Sequence, residues 1–98
     1  MIKYSLITGS AGLLGRYHAE ALLQLNSKVI LTDIDKDGLE TTFKYLKKLY
    51  PTKIIITSML DVASPESIKK IVKNLRKKNI IFNNFINNAA IDAKVNKK

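Results

Sequence analysis

The sequence predicts a single α/β domain over residues 1–98, with a doubly wound parallel sheet of about four strands in the order 3-2-1-4 and three helices. Short apolar runs alternate along the chain with stretches whose apolar residues have helical spacing. The apolar runs lack polar alternation, as in strands of a parallel sheet that helices cover on both faces. A chain of 98 residues is long enough for one core and too short for two.

The first half of the chain contains two strand–helix pairs. Residues 3–8 (KYSLIT) and 28–32 (KVILT) are short runs rich in strand-forming residues. Helical spacing over residues 13–26 predicts the first helix, with an apolar face formed by Leu14, Tyr17, Ala21, Leu22 and Leu25. The second helix starts after the turn DIDKDG and is ended by Pro51. Its predicted buried face is Leu39, Phe43, Leu46 and Tyr50.

The second half adds two strands and one helix. Residues 53–57 (KIIIT) are predicted as the third strand, and residues 80–86 (IIFNNFI) as the fourth. The helix between them has a clear start: Ser64 is a good N-cap, Pro65 fits the first helical position, and Glu66 complements the helix dipole. Its predicted apolar face is Ile68, Ile71, Val72 and Leu75.

The net charge of +9 raises the question of a nucleic-acid partner, because clustered cations neutralise phosphates. The lysines are scattered over the predicted solvent faces of two helices, and only two of the seventeen basic residues are arginine. We therefore favour solvated helix faces over nucleic-acid binding.

Composition excludes several other classes of site. Without cysteine, the chain has no disulfide, no thiolate zinc site and no catalytic thiol. No apolar run approaches the ~20 residues of a membrane span, and the N-terminus lacks a signal-peptide pattern. A cytoplasmic protein that does not bind membranes is the simplest expectation.

Three of the four glycines fall within TGSAGLLG at residues 8–15, directly after the first predicted strand. In doubly wound sheets, phosphate groups bind at this junction, where the helix N-terminus offers N–H groups and partial positive charge. We expect Gly9 to permit a tight turn, Gly12 to let a pyrophosphate approach the backbone, and Gly15 to let the helix pack closely on the sheet. The alternative is a tight turn that binds nothing.

Asp33 lies at the end of the second predicted strand, eighteen residues after Gly15. A carboxylate at this point can accept hydrogen bonds from the ribose hydroxyls of a dinucleotide. It would also repel a 2′-phosphate, so NAD is favoured over NADP. Asp35 could substitute or assist. The alternative role, an N-cap for the next helix, suits Asp35 or Asp37 better than Asp33.

Together with two further motifs, these residues make the chain similar to the N-terminal, cofactor-binding half of short-chain dehydrogenases/reductases, which have a Rossmann-like fold. TGSAGLLG resembles the glycine motif of that family. Leu60–Val62 (LDV) resembles the Asp-Val or Asp-Leu after strand three, whose aspartate contacts the adenine. Asn87–Ala90 (NNAA) resembles the Asn-Asn-Ala-Gly element after strand four, which lines the adenosine side of the cofactor. Taken alone, NNAA is compatible with an ordinary polar loop.

The resemblance implies a dinucleotide cofactor held by Gly9, Ser10, Gly12, Leu13, Leu14, Gly15, Asp33, Asp61, Val62, Asn88, Ala89 and Ala90. The subfamily stays open, because the spacing TGxxGxxG resembles the extended nucleotide-sugar epimerase and dehydratase branch, whereas NNAA resembles the commoner branch. Ala90 stands where glycine is usual.

In this family a serine and a Tyr-x-x-x-Lys pair, located in the half that would follow, carry out the chemistry. No tyrosine of this chain has a lysine four residues later, so the 98-residue chain alone is predicted to be inactive. His18, the only histidine, suits a surface or packing role better than that of a general base. No metal-ligand spacing is present. The alternative to a portion of an oxidoreductase is a non-catalytic nucleotide-binding or interaction module.

In the family, a fifth strand follows beside the fourth. Without it, residues 80–86 would form an exposed apolar edge, which is a common route to association. We therefore expect the isolated chain, truncated after about four strands, to be marginally stable or to form homo-oligomers through this edge.

Overall fold

The computed structural model describes residues 4–88, which form four strands and three helices in strict alternation. The strands are β1 (Tyr4–Thr8), β2 (Lys28–Asp33), β3 (Ile55–Met59) and β4 (Asn84–Asn87). The helices are α1 (Leu13–Gln24), α2 (Lys36–Leu49) and α3 (Pro65–Lys77).

The strands form one parallel sheet in the order β3-β2-β1-β4, which confirms the predicted fold class and strand order. Ser5 of β1 is in register with Val29 of β2 on one side and with Asn84 of β4 on the other. Because all strands run in the same direction, the carboxyl ends of β1, β2, β3 and β4 lie at the same end of the sheet.

Apolar side chains alternate between the two faces of the sheet and pack under different helices. The first apolar cluster, under α1 and α2, contains Ile7, Ala19, Leu23, Val29, Leu31, Leu39, Leu46 and Ile55. The second, under α3, contains Leu6, Ile30, Leu60, Ile71 and Leu75. Burial on both faces explains why β1 and β2 read as continuous apolar runs.

Helices α2 and α3 begin with side-chain caps. The carboxylate of Asp35 accepts a hydrogen bond from the Gly38 N–H, and the Ser64 hydroxyl accepts one from the Ser67 N–H. Pro65 follows Ser64 directly, as predicted, and basic residues occupy the last turn of both helices. Each such cap typically contributes about 1 kcal/mol.

The predicted buried face of α1 is wrong. The residues that α1 buries are Gly15, Ala19 and Leu23, whereas Leu14, Tyr17 and Leu25 are exposed and Leu22 is half-buried. The prediction followed the largest apolar side chains. Two of the three buried residues, Gly15 and Ala19, are small, and at Gly15 the helix lies too close to the glycine-rich turn for a side chain to fit.

The bounds of two strands also differ from the predicted ones. β3 begins at Ile55 and extends to Met59, so it lies two residues later than predicted. In the predicted run 80–86, β4 begins only at Asn84, which is in register with Ser5 of β1. Just before the strand, the Asn83 N–H donates a hydrogen bond to the Tyr4 carbonyl. Ile80 and Phe82 pack on the second cluster instead, so their apolar character reflects contact with α3 rather than strand pairing.

Within residues 4–88, the outer edge of β4 has no neighbouring strand, and Phe85 on this strand is 56% exposed. None of the helices in the same residues is both long and apolar enough to cross a lipid bilayer.

Candidate functional site

The glycine-rich turn joins β1 to α1. Gly9 has φ of 67°, a left-handed conformation that favours glycine, and its carbonyl accepts a hydrogen bond from the Gly12 N–H at 3.2 Å. Ser10 is fully buried, and its hydroxyl donates to the Ile7 carbonyl and accepts from the Thr32 N–H. The Ser10 N–H also donates to the Thr32 carbonyl at 3.0 Å, so the turn is bonded directly to β2. A cofactor contact of Ser10 stays a prediction.

Gly15 and Gly12 differ in how much space surrounds them. A Cβ atom on Gly15 would overlap the Gly9 carbonyl oxygen, so α1 needs a glycine here to approach the turn. A Cβ atom on Gly12 would meet only the Gly9 oxygen, at an ordinary 3.5 Å, and its φ of −84° suits any residue. The fold therefore requires Gly15 but not Gly12. A bound group that touches the backbone would account for the second glycine.

Helix α1 starts without the protection that α2 and α3 have. Its N-cap is Gly12, which has no side chain to accept a hydrogen bond, and its first turn carries no acidic residue. The first N–H groups of a helix have no partner within the helix. Leu13 and Leu14, the first two helical residues, are more than half exposed. This end of α1 can therefore donate hydrogen bonds to an anion.

Asp33 is the last residue of β2 and lies beside the turn. Its Oδ2 accepts a 2.9 Å hydrogen bond from the Ala11 N–H, and its Oδ1 accepts one from the Asp35 N–H at 2.9 Å. A carboxylate has about four lone-pair positions, so each oxygen can accept another hydrogen bond. Asp35 is the N-cap of α2, as the alternative interpretation had it, and Asp37 lies in the first turn of that helix.

Asp61 and Val62 follow β3 at the same edge of the sheet. The Asp61 side chain accepts a hydrogen bond from the Ala63 N–H and so shapes the turn that leads into α3, while Val62 packs against the second cluster. A hydrogen bond from the Leu60 N–H to the Asp33 carbonyl joins this loop to the end of β2. The structure thus brings Asp61 and Val62 next to the strand that carries Asp33.

The end of β4 adds an amide group to this edge. Asn88 is 5% exposed, and its buried Nδ2 has no hydrogen-bond acceptor among residues 4–88. Buried donors nearly always have an acceptor, so this amide group is an unusual feature of the end of β4. Ala89 and Ala90, the other two predicted contacts of this motif, lie outside the described residues.

Neither a metal centre nor a histidine base belongs to this edge in the described chain. Among residues 4–88, no three His, Asp or Glu side chains come together closely enough to hold a metal ion. His18 lies in the second turn of α1 and is half-buried, with a buried Nδ1.

Sequence reasoning missed three residues that shape the site. Thr8 donates a hydrogen bond to the Asn87 side chain, and the Ala11 N–H binds Asp33. Gly38 lies so close to Ala11 that a Cβ atom on it would be 2.7 Å from the Ala11 Cβ. Only Gly38 carried a signal in the sequence, because a glycine in the first turn of a helix is unfavourable and needs a reason.

Comparison with known proteins gives consistent results. A sequence profile described as short chain dehydrogenase matches residues 3–98. Levodione reductase from Leifsonia aquatica is 30% identical over 91 residues, which cover 93% of this chain and 34% of that protein.

Two solved structures show similar folds. A crystal structure of levodione reductase has a TM-score of 0.77 at 25% identity over 85% of this chain and 32% of that one. Menthone neomenthol reductase from Mentha piperita has a TM-score of 0.83 at 24% identity, with 91% and 32% covered. The chain therefore spans about a third of the length of these relatives.

Proposed function

The chain belongs to the short-chain dehydrogenase family, and we propose that it is the portion of such an oxidoreductase that binds the dinucleotide cofactor, NAD in preference to NADP. The observation that carries the proposal is the hydrogen bond between the Asp33 carboxylate and the Ala11 N–H. It brings an acceptor for ribose hydroxyls beside the turn that would hold the phosphates.

The pyrophosphate would bind at the start of α1. The glycine-rich turn and the first residues of the helix, Gly12, Leu13 and Leu14, offer backbone N–H groups at a helix end with no capping side chain. The open space at Gly12 supports this assignment, since the protein itself does not fill it. The partial positive charge of the helix end would favour the two phosphates.

The adenosine side would bind along the ends of β2, β3 and β4. The remaining lone pairs of the Asp33 carboxylate would accept hydrogen bonds from the ribose hydroxyls. The negative charge of this carboxylate would disfavour a 2′-phosphate. Asp61 and Val62 would line the adenine, and the orphan Nδ2 of Asn88 would donate to an acceptor of the cofactor. When bound, the nicotinamide supplies hydride transfer, whereas this chain supplies binding and orientation.

Calorimetric titration with NAD tests the proposal. We expect measurable binding by the wild-type chain and a loss of about tenfold or more in Gly12→Val, whose side chain would keep the pyrophosphate from the backbone. Ala21→Val is the matched control, because Ala21 is an exposed residue of the same helix away from the turn. Equal NAD affinity in wild type and Gly12→Val, or no NAD binding by the wild type, would overturn the proposal.

Hydride transfer needs an acid–base partner positioned against the substrate. The 98 residues contain no Tyr-x-x-x-Lys pair, so we expect this chain by itself to bind NAD without catalysing turnover. Reduction of a carbonyl by NADH, or oxidation of an alcohol by NAD, would belong to a longer protein of the same family. Turnover of NADH by the isolated chain would contradict this assignment of roles.

We also propose that the excess of lysine serves solvation in a cytoplasmic protein and not nucleic-acid binding. The exposed lysines are spread over α2 and α3, among them Lys44, Lys48, Lys69 and Lys73. A DNA-binding surface would give tight, strongly salt-dependent binding of duplex DNA that is unchanged in Asp33→Ala. We expect only weak DNA binding at physiological salt.

A further inference from the structure

Gly38 lies in the first turn of α2, and glycine is a poor helix former. In a helix interior, glycine is about 1 kcal/mol less favourable than alanine. The backbone conformation at Gly38 does not require glycine, because Gly9 is the only glycine among residues 4–88 with a positive φ. The backbone conformation therefore does not explain Gly38, whereas the space around it is restricted.

That space is filled by the glycine-rich turn. A Cβ atom on Gly38 would lie 2.7 Å from the Ala11 Cβ and 2.6 Å from Asp35 Oδ2. The Asp35 carboxylate is the far end of a side chain and can move aside, at the expense of its cap hydrogen bond from the Gly38 N–H. The Ala11 Cβ is fixed to the backbone of the turn, so the turn itself would have to shift.

Ala11 is also the residue that Asp33 holds. Its N–H donates to Asp33 Oδ2, and the next residue, Gly12, donates to the Gly9 carbonyl. A displacement of Ala11 would therefore change both its distance from Asp33 and the direction of the N–H groups at the start of α1. A second contact holds the helices together: the Arg16 guanidinium lies 4.3 Å from the centre of the Tyr45 ring.

We propose that Gly38 is a positioning residue for the dinucleotide, because the start of α2 packs against the glycine-rich turn and limits the positions that the turn can take. The missing side chain at Gly38 lets Ala11 sit within reach of Asp33, which fixes the phosphate-binding N–H groups and the ribose acceptor in one arrangement. The inference rests on the proposed function, and Gly38 itself does not touch the cofactor.

A size exchange between the two positions tests this. Gly38→Ala adds a methyl group that pushes on Ala11, and the double variant Ala11→Gly/Gly38→Ala removes the methyl group that it meets. We expect NAD affinity, measured by calorimetry on the 98-residue chain, to fall about tenfold in Gly38→Ala and to return to within about threefold of wild type in the double variant. Ala11→Gly alone is measured beside them, so that the recovery in the double variant is judged against both single variants in a double-mutant cycle.

The amide resonance of Gly12 in a ¹⁵N–¹H spectrum reports the position of the turn without cofactor. It should move in Gly38→Ala and return toward its wild-type position in the double variant. The inference is overturned if Gly38→Ala binds NAD like the wild type, or if the double variant binds as weakly as the single one, since the loss would then come from the Asp35 cap.

If the wild-type chain does not bind NAD, the proposed function fails and the inference fails with it as a statement about the cofactor. The Gly12 resonance still decides whether Gly38 positions the turn. If this resonance does not move in Gly38→Ala, Gly38 does not position the turn either.

Discussion

The hydroxyl of Thr8, at the end of β1, donates a 2.8 Å hydrogen bond to Oδ1 of Asn87, at the end of β4. Thr8 is 1% exposed, whereas Asn87 is exposed, so the bond ties a buried strand to the sheet edge. These two residues are also in register as partners of the parallel pair. The contact fixes the position of β4, and with it Asn88, relative to the glycine-rich turn.

Removing this hydrogen bond should destabilise the sheet edge. We expect Thr8→Val to lower the free energy of unfolding by about 1 kcal/mol, which corresponds to about 4–8 °C in Tm for a domain of this size. A double-mutant cycle with Asn87→Ala isolates the pair, because the double variant should lose less than the sum of the single losses. Strictly additive losses in urea denaturation would mean that the bond contributes nothing.

The two neighbouring carboxylates Asp33 and Asp35 should differ in their effect on NAD binding. Asp33→Asn replaces one acceptor oxygen by a donor, so it cannot accept from both the Ala11 and Asp35 N–H groups and the ribose as well. We expect NAD affinity to fall about tenfold or more, as for a hydrogen bond to a charged group.

Asp35→Asn is the control for this prediction. Asparagine is as good an N-cap as aspartate, so both Tm and NAD affinity should stay near wild type. If Asp35→Asn loses as much NAD affinity as Asp33→Asn in a calorimetric titration, the assignment of the ribose contact to Asp33 is wrong.

Gly15 and Gly12 should separate folding from binding. Gly15→Ala places a methyl group against the Gly9 carbonyl and should destabilise the chain by about 1–3 kcal/mol, partly offset by the better helix propensity of alanine. Gly12→Ala has room and should change the free energy of unfolding by no more than about 0.5 kcal/mol. Urea denaturation of both variants measures this. Similar losses in the two would show that the 3.5 Å clearance at Gly12 does not matter.

Phe85 should promote self-association of the isolated chain. It is 56% exposed on β4, whose outer edge has no neighbour within residues 4–88, and its ring lies 6.5 Å from that of Phe82. Phe85→Lys should shift the chain toward monomer in sedimentation velocity, because a charge on an edge strand opposes edge-to-edge pairing.

The opposite edge of the sheet provides the control. Ile54 precedes β3 and is 43% exposed, so Ile54→Lys adds the same charge there and should leave the oligomeric state unchanged. If Ile54→Lys dissociates the oligomer and Phe85→Lys does not, the chains associate through β3 and not through β4.

The fold could be predicted from sequence because alternation of strand and helix patterns restricts a parallel sheet to few topologies. Caps such as Ser64 were also readable, since their chemistry is local. The buried face of α1 was not, because Gly15 and Ala19 pack against the sheet through their small size, which hydrophobicity does not reveal. Ile80 and Phe82 were predicted as strand residues for a related reason. Their apolar side chains pack on the second cluster, and the sequence does not distinguish this contact from strand pairing.

At the candidate site, the glycines and Asp33 were identified by their spacing, whereas the partners of Asp33 were not. The bond from the Ala11 N–H depends on how the turn folds back on β2, and a backbone group leaves no trace in the sequence. The contact between Gly38 and Ala11 requires α2 to pack against the glycine-rich turn, so the pair could be recognised only in three dimensions.

The double engagement of Asp33 has a consequence for redesign of cofactor preference. Exchanging this carboxylate for a neutral or basic residue, the obvious route toward a phosphorylated ribose, would also deprive the Ala11 and Asp35 amides of their acceptor. A successful switch would therefore have to be made as a pair of changes, one that welcomes the extra phosphate and another that keeps those amides satisfied.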